Sequence, residues 1–164
     1  MRRSEREVKE ISEIKAIVDE CKVLHLAMQD EEGLYIVPLN FGYSFDGDKF
    51  EFYCHSARKG RKIDAIANNA AVAFEMDCEH GLVEADKTCG YSYTFASIIG
   101  SGKAILLDGE EKKKALTLLM KHQTGKDFEF NDKQVAAVSA IKIEVEDLSA
   151  KAHRSQIYLR PQFT

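Results

Sequence analysis

The sequence lacks the features that mark most specialised classes of protein. Its 164 residues include no tryptophan, two prolines and ten glycines, so the chain is neither collagen-like nor of low complexity. No apolar run approaches the roughly 20 residues that span a bilayer. The charged segment 1–10 also lacks the apolar stretch of a signal peptide. We therefore expect a cytoplasmic protein with no membrane partner.

An excess of basic residues is also absent. The chain has 23 Lys and Arg against 27 Asp and Glu, a formal charge of −4 and a pI near 5.8. A surface that binds polyanions needs the opposite balance, so we predict no nucleic-acid partner. With 45% hydrophobic and 30% charged residues, the composition is that of a folded globular protein. Its length predicts a single domain over residues 1–164 with an N-terminal helix.

The four cysteines, Cys21, Cys54, Cys78 and Cys89, form no CxxC pair. A chain of this length needs no disulfide framework, so reduced thiols are expected. Cys78, His80 and Cys89 could supply three metal ligands. However, no fourth ligand stands nearby, and the His-x-Glu…Pro-Cys-x-x-Cys signature of zinc deaminases is missing. We therefore predict no metal site.

Helical spacing is clear in three segments. Ser4 and Glu7 form a capping-box pattern, and apolar residues from Val8 to Cys21 then recur at helical intervals. Residues 60–69 and 110–122 carry the same periodicity and predict two further helices.

Most of the remaining chain has strand character. The predicted strands are residues 22–28, 34–43, 49–54, 70–76, 91–107 and 140–145. Pro38 cannot donate a ladder hydrogen bond and marks an edge or a bulge. Residues 77–90 are polar and patternless and predict a surface loop. The alternation places His25 and Cys54 in the core, although Cys54 could also be a nucleophile.

The densest chemical signal runs from Cys54 to Lys62, where a predicted strand ends in a loop that opens a helix. Four of the five residues 58–62 are basic. A helix N-terminus combined with a hydroxyl, an arginine and a lysine suits a phosphate monoester. A solvated basic loop is the alternative. There is no GxGxxG or GxxxxGK[ST], so neither a Rossmann domain nor a P-loop is indicated.

Three blocks of the sequence stand out together: Val37-Pro38-Leu39-Asn40-Phe41-Gly42-Tyr43, Tyr53-Cys54-His55-Ser56-Ala57 with Gly60-Arg61-Lys62, and Phe95-Ala96-Ser97-Ile98-Ile99-Gly100-Ser101-Gly102. They resemble the signature blocks of the nitroimidazole-resistance (Nim)-like flavin-binding proteins, which are related to the pyridoxamine 5'-phosphate oxidases. Met1-Arg2-Arg3 and the segment from Leu118 to His122 extend the resemblance. It implies a mainly β fold with flanking helices, a six-stranded antiparallel split β-barrel. It also implies a homodimer that binds FMN, with FAD as the alternative flavin, at the subunit interface.

The same resemblance assigns roles to individual residues. The backbone of Leu39, Asn40 and Phe41 would lie against the isoalloxazine ring. The ribityl chain and phosphate would meet His55, Ser56, Ala57, Gly60, Arg61 and Lys62, and Ser97 and Ile99 would support the site. The position of His55 is the one linked to redox chemistry on nitroimidazoles, so His55 is the predicted catalytic residue, with cofactor binding alone as the other interpretation. The family commonly has Tyr-Arg-Ser-Val where this chain has Phe95-Ala96-Ser97-Ile98, so a cationic side chain is missing near the site.

These features favour an FMN-dependent oxidoreductase. It would take electrons from NAD(P)H or another donor and reduce small electrophiles such as nitroaromatic 5-nitroimidazoles. The alternative is a flavin-binding carrier or sensor without turnover. A strict pyridoxamine-phosphate oxidase would need basic clusters beyond residues 58–62. A haem-degrading split barrel would need an axial histidine, for which only His153 stands in a tail segment.

Overall fold

The computed structural model describes residues 4–154, and its chain divides into two compact units. Among the described residues, the first unit contains 4–21, 76–99 and 149–154, and the second contains 22–75 and 100–148. The block Met1-Arg2-Arg3 lies outside the described residues. The single-domain assignment stays a prediction.

Strands dominate the secondary structure of residues 4–154. The strands are β1 (Glu7–Val8), β2 (Val23–Asp30), β3 (Gly33–Phe45), β4 (Phe50–Ser56), β5 (Ala71–Val83), β6 (Ser92–Leu107) and β7 (Ser139–His153). The helices are α1 (Ile11–Glu20), α2 (Arg61–Asn68), α3 (Gly109–Thr124) and α4 (Asp132–Ala136). None of these helices is long and apolar enough to cross a bilayer.

The strands pair in the order β1-β7-β4-β3-β2-β5-β6, and β6 also pairs with β7. Six strands, β2 to β7, therefore form a closed ring of hydrogen-bonded neighbours. Gly102 of β6 and Glu144 of β7 lie close together in the second unit, because a Cβ at residue 102 would collide with the Glu144 carbonyl oxygen. The predicted mainly β fold of six antiparallel strands with flanking helices is confirmed.

Much of the core of the second unit lies on one face of β2 and on β4, where Tyr53 is buried in addition to Phe50, Phe52 and Cys54. Leu24, Leu26 and Met28 are buried on one face of β2. Phe52 is fully buried, and its ring meets Phe41 at 5.6 Å and Phe74 at 5.2 Å in edge-on contacts. Alternate aromatic and aliphatic side chains fill the space enclosed by the strands, which is why these segments fold as half-buried strands.

The prediction of a core position for His25 is wrong. His25 lies on the opposite face of β2 from Leu24 and Leu26, with its side chain 40% exposed and Nδ1 3.3 Å from the Glu75 carboxylate. Because the run from Val23 to Met28 is nearly all apolar, the sequence does not reveal which face of the strand is covered.

Strand β3 changes its partners along its length. From Gly33 to Asn40 it pairs with β2, and from Phe41 to Phe45 it pairs with β4. Within residues 4–154, β3 therefore has a strand on one side only between Gly33 and Asn40. Pro38 lies in this one-sided segment, as predicted for a residue without an N–H donor.

Helix α3 lies directly on β3 in the second unit. At Gly42 a Cβ would collide with the backbone of Leu118 and Leu119. The carbonyl oxygen of Phe41 accepts hydrogen bonds from His122 Nδ1 and Gln123 Nε2, both at 2.8 Å. The end of α3 is thereby fixed to the middle of β3.

In the first unit, α1 buries Ile14, Ile17 and Val18, and β1 pairs with the end of β7. The predicted helix start at Ser4 is wrong, since residues Ser4–Arg6 form a 3-10 turn and Glu7–Val8 a strand. The 77–90 loop is also wrong in its first half, because β5 continues to Val83.

Polar side chains hide this extension of β5 from the sequence pattern. The Glu79 carboxylate binds Arg154 Nε at 2.7 Å, and the Thr94 hydroxyl donates to the Glu79 carbonyl at 2.9 Å. Strand β7 likewise runs to His153, beyond the predicted 140–145.

Candidate functional site

The end of β4 presents His55 to solvent. Phe50, Phe52 and Cys54 take the inward face of β4 and are 4%, 0% and 1% exposed. His55 follows them on the outward face, is exposed, and pairs through its backbone with Ala140 of β7. The pairing of β4 with β7 thus fixes the backbone of His55, while its imidazole remains exposed to solvent.

The N-terminus of α2 is open to an anion. Its N-cap residue, Gly60, offers no side-chain acceptor, and its carbonyl accepts from Ile63 N at 2.8 Å and Asp64 N at 3.2 Å. Gly60 has φ +129° and ψ 166°, a conformation open essentially to glycine alone, and a Cβ built there would meet no atom within 4 Å. The N–H groups of Arg61 and Lys62, which precede these two bonded amides, and the positive end of the helix dipole therefore have space for a phosphate, with exposed Arg58 and Lys59 beside them.

The two basic residues that open α2 have different surroundings. Lys62 is half-buried, and burial lowers the pKa of its ammonium group while the nearby Cys54 side chain opposes that shift. Burial raises the pKa of the Cys54 thiol to about 12, and Lys62 pulls it the other way. Lys62 thus lies near Cys54 of β4, which His55 follows, and the raised pKa keeps the buried Cys54 thiol protonated near neutral pH.

Arg61 is directed to the turn between β2 and β3. Its Nε and Nη2 donate to the two carboxylate oxygens of Asp30 at 2.6 and 2.9 Å, and Nη1 lies 3.3 Å from Glu32. The guanidinium carbon stands 4.5 Å from the centre of the Tyr35 ring. The hydrogen bond from Arg61 is the main cause of the lowered pKa of Asp30. Arg61, Asp30 and Glu32 border a cavity of about 860 Å³ that Asp64 also lines.

The three residues of β3 predicted to lie against the isoalloxazine ring, residues 39–41, have two different environments. Leu39 is half-buried and Asn40 exposed in the one-sided segment of the strand. The Asn40 amide donates to the Lys22 carbonyl at 3.1 Å. Phe41 is fully buried and its carbonyl is bonded to α3. Leu39 and Asn40 therefore lie on the open edge, whereas Phe41 anchors the strand from inside.

The remaining predicted site residues are distributed as follows. Ser56 is half-buried at the end of β4 and Ala57 is exposed beyond it. Ser97 and Ile99 belong to the first unit, on β6, where Ser97 is half-buried and Ile99 is 56% exposed. The second unit thus holds His55, Ser56, Ala57, Gly60 and Lys62 along one short stretch from strand to helix.

Cys78, His80 and Cys89 do not come together as a metal-binding cluster within residues 4–154. A hydrogen bond from Cys21 is the main cause of the lowered pKa of Cys78, and His80 Nε2 lies 2.5 Å from the Asp77 carboxylate. Cys89 is exposed.

Two contributions to the site could not be read from the sequence. Asp30 stands 31 residues from Arg61, and His122 stands 81 residues from Phe41. The acidic Asp30-Glu31-Glu32 turn suits a basic side chain, but its composition does not indicate which one contacts it.

Comparison with known proteins identifies the family of this chain. The family model described as pyridoxamine 5'-phosphate oxidase matches residues 10–152. Among solved structures, a proposed 5-nitroimidazole antibiotic resistance protein from Bacteroides thetaiotaomicron is 30% identical, with a TM-score of 0.77, over 89% of this chain and 86% of that one. No curated protein sequence matches the chain.

More distant structures share the fold. An FAD and heme binding protein from Mycobacterium smegmatis has a TM-score of 0.77 at 18% identity, covering 92% of this chain and 74% of that one. A flavocytochrome from Azotobacter vinelandii has a TM-score of 0.73 at 19% identity, covering 99% of this chain and 79% of that one.

The family match spans most of the chain, and the ring of six antiparallel strands is the fold that the resemblance implied. The chain therefore belongs to the pyridoxamine 5'-phosphate oxidase family of split-barrel proteins and is similar within it to the nitroimidazole-resistance-like members.

Proposed function

We propose that this protein binds a flavin, with FMN as the preferred form and FAD as the alternative, and uses it to reduce small electrophiles such as 5-nitroimidazoles. The observation that carries the proposal is the juncture of β4 and α2 in the second unit. There an exposed histidine, an uncapped helix N-terminus and a half-buried lysine follow one another within eight residues, 55–62.

The phosphate of FMN fits the N-terminus of α2 by its chemistry. A dianion would accept hydrogen bonds from the N–H groups of Arg61 and Lys62 and compensate the positive end of the dipole. Gly60 leaves the approach free, since even a Cβ added to it would meet no atom within 4 Å. Lys62 adds a charge-assisted bond, and its partial burial strengthens that attraction relative to a fully solvated lysine.

The flavin ring has a complementary edge on β3. The segment from Gly33 to Asn40 has a strand partner on one side only among the described residues. Backbone groups on a free strand edge can hydrogen-bond a planar heterocycle as they would a further strand. Leu39 and Asn40 are the residues of the predicted block that remain on this edge.

When bound, the flavin would accept electrons from a donor such as NAD(P)H and pass them to the acceptor. The protein would supply orientation and protons. His55 is exposed at the end of a fixed strand, so its imidazole can hold or release a proton beside the cofactor without disturbing the core.

The proposed active form is a cytoplasmic homodimer. Two large apolar side chains are exposed on the outward face of β3 in the second unit: Leu34 is 86% exposed, Ile36 is 63% exposed, and Ile36 pairs with Ala27. Large apolar side chains at such exposure favour a covering partner, and an isologous contact between two copies is the commonest way to provide one. Light scattering at micromolar concentration should give about twice the 18.5 kDa of the chain.

The visible spectrum of the purified protein tests the cofactor directly. A flavin spectrum, with FMN identified by mass after denaturation, supports the proposal, and a colourless protein that takes up neither FMN nor FAD refutes it. Reduction of the bound flavin by NAD(P)H and its reoxidation by a 5-nitroimidazole would distinguish the reductase from a carrier or sensor that holds flavin without turnover.

A further inference from the structure

Arg61 and Lys62 are adjacent in the sequence and would be expected to serve the same phosphate. They point to different neighbours. Arg61 contacts Asp30, Glu32 and Tyr35 at the turn between β2 and β3. Lys62 lies near Cys54, at the end of β4. Consecutive residues of a helix are separated by about 100° around its axis, which accounts for the divergence.

The contacts of Arg61 leave it little capacity for a second anion. Asp30 takes the Nε and Nη2 edge of the guanidinium in a two-point contact at 2.6 and 2.9 Å. Glu32 lies against Nη1 at 3.3 Å, and the flat face lies over Tyr35 at 4.5 Å. A phosphate approaching Arg61 would meet two carboxylates whose charge offsets that of the guanidinium.

The Asp30 carboxylate is well placed to hold α2. Its side chain is 15% exposed, and Arg61 is the first residue of the helix. The two-point contact fixes the guanidinium in both distance and orientation, as a single hydrogen bond would not. The first turn of α2 is therefore tied to the β2–β3 turn through one ion pair.

We infer that Asp30 is a positioning residue that uses Arg61 to anchor the first turn of α2, so that the preference for a phosphorylated flavin over riboflavin comes from Lys62 and the helix N–H groups rather than from Arg61. This inference rests on the proposed flavin site and assigns its specificity.

The test compares Asp30→Asn, Arg61→Gln and Lys62→Met in the full-length protein, with FMN and riboflavin titrated by calorimetry. The measured quantity is the ratio of the riboflavin dissociation constant to the FMN dissociation constant. Asp30→Asn and Arg61→Gln should weaken both flavins by the same factor and leave that ratio at its wild-type value. Lys62→Met should lower the ratio roughly tenfold or more, because it removes a charge-assisted bond to the phosphate. Asp30→Glu, which keeps the carboxylate, should restore much of the affinity that Asp30→Asn loses.

Amide hydrogen exchange provides a readout that does not need flavin. Exchange across residues 61–68 should become faster in Asp30→Asn and Arg61→Gln and stay unchanged in Lys62→Met. The inference is overturned if Arg61→Gln lowers the ratio as Lys62→Met does, or if neither Asp30→Asn nor Arg61→Gln changes exchange in α2. Failure of the wild-type protein to bind either flavin would instead refute the proposed function, while the exchange data would still decide the anchoring role.

Discussion

Replacing Gly60 with alanine separates backbone strain from steric conflict at the proposed phosphate site. The added methyl group would meet no atom within 4 Å, so the substitution introduces no clash. It does place an L side chain at φ +129° and ψ 166°. Holding a residue in such a region costs about 1–3 kcal/mol.

The strain at residue 60 must lower either the stability of the apo-protein or its affinity for FMN. If the loop keeps its conformation, the apo-protein loses the full 1–3 kcal/mol or so of stability. If the loop relaxes, the apo-protein keeps its stability and FMN must restore the strained geometry. The affinity then falls by about tenfold for each 1.4 kcal/mol. Because Gly60 is in an exposed loop, we expect most of the cost in binding, a loss of roughly 5- to 100-fold in FMN affinity.

Gly47 provides a matched control. It has φ +106°, its Cβ would also meet no atom within 4 Å, and it lies in the turn between β3 and β4. Gly47→Ala should leave the FMN dissociation constant unchanged, because none of the predicted site residues lies in that turn. Calorimetric titration and urea unfolding of both variants measure the two parts. The reasoning fails if Gly60→Ala binds FMN as wild type does, or if Gly47→Ala loses as much affinity.

Three further predictions concern His55, the cysteines and Glu51. His55→Ala should keep the thermal midpoint, since an exposed substitution usually costs less than about 0.5 kcal/mol, and should slow nitro-group reduction about 10²-fold. His25→Ala is its control, and full activity in His55→Ala would favour the carrier function. Iodoacetamide at pH 8 should label exposed Cys89 in the native protein and spare Cys54, which is 1% exposed with a pKa of about 12, and peptide mass mapping would detect any early labelling of Cys54. The Tyr53 phenol is the main cause that holds the pKa of Glu51 below its ordinary 4.5, so Glu51 stabilises the fold above that pH and loses this contribution as pH falls. Glu51→Gln should therefore flatten the decline in urea midpoint as pH falls from about 5 to below 4.5, whereas Glu84→Gln, on an exposed loop, should leave it as steep as in wild type.

Local patterns predicted the parts of the fold that depend on local physics. The alternation of Phe50, Phe52 and Cys54 fixed the face of β4 and, with it, the outward position of His55. Helical spacing over residues 60–69 likewise predicted α2, which begins directly after Gly60. Pro38 correctly marked a segment of β3 that has one strand neighbour among residues 4–154, because the missing N–H is a property of the residue itself.

Long-range pairing explains what the sequence could not supply. The extension of β5 was hidden because Glu79 is satisfied by Arg154, 75 residues away, and a polar strand without alternation looks like a loop. His25 was placed on the wrong face because its strand is apolar on both sides. The ion pair between Arg61 and Asp30 likewise depends on how α2 packs against the β2–β3 turn, which local spacing in the sequence does not show.

The one-sided segment of β3 also bears on how the protein behaves during production. Among the described residues this segment, which contains the exposed Leu34 and Ile36, has no strand partner on its outer edge, so another chain can add there as a further strand. If the proposed flavin occupies that edge, it blocks this addition. Cells starved of riboflavin should therefore deposit more of the protein in inclusion bodies than cells supplied with it, and a lysine in place of Leu34 should keep the flavin-free chain soluble.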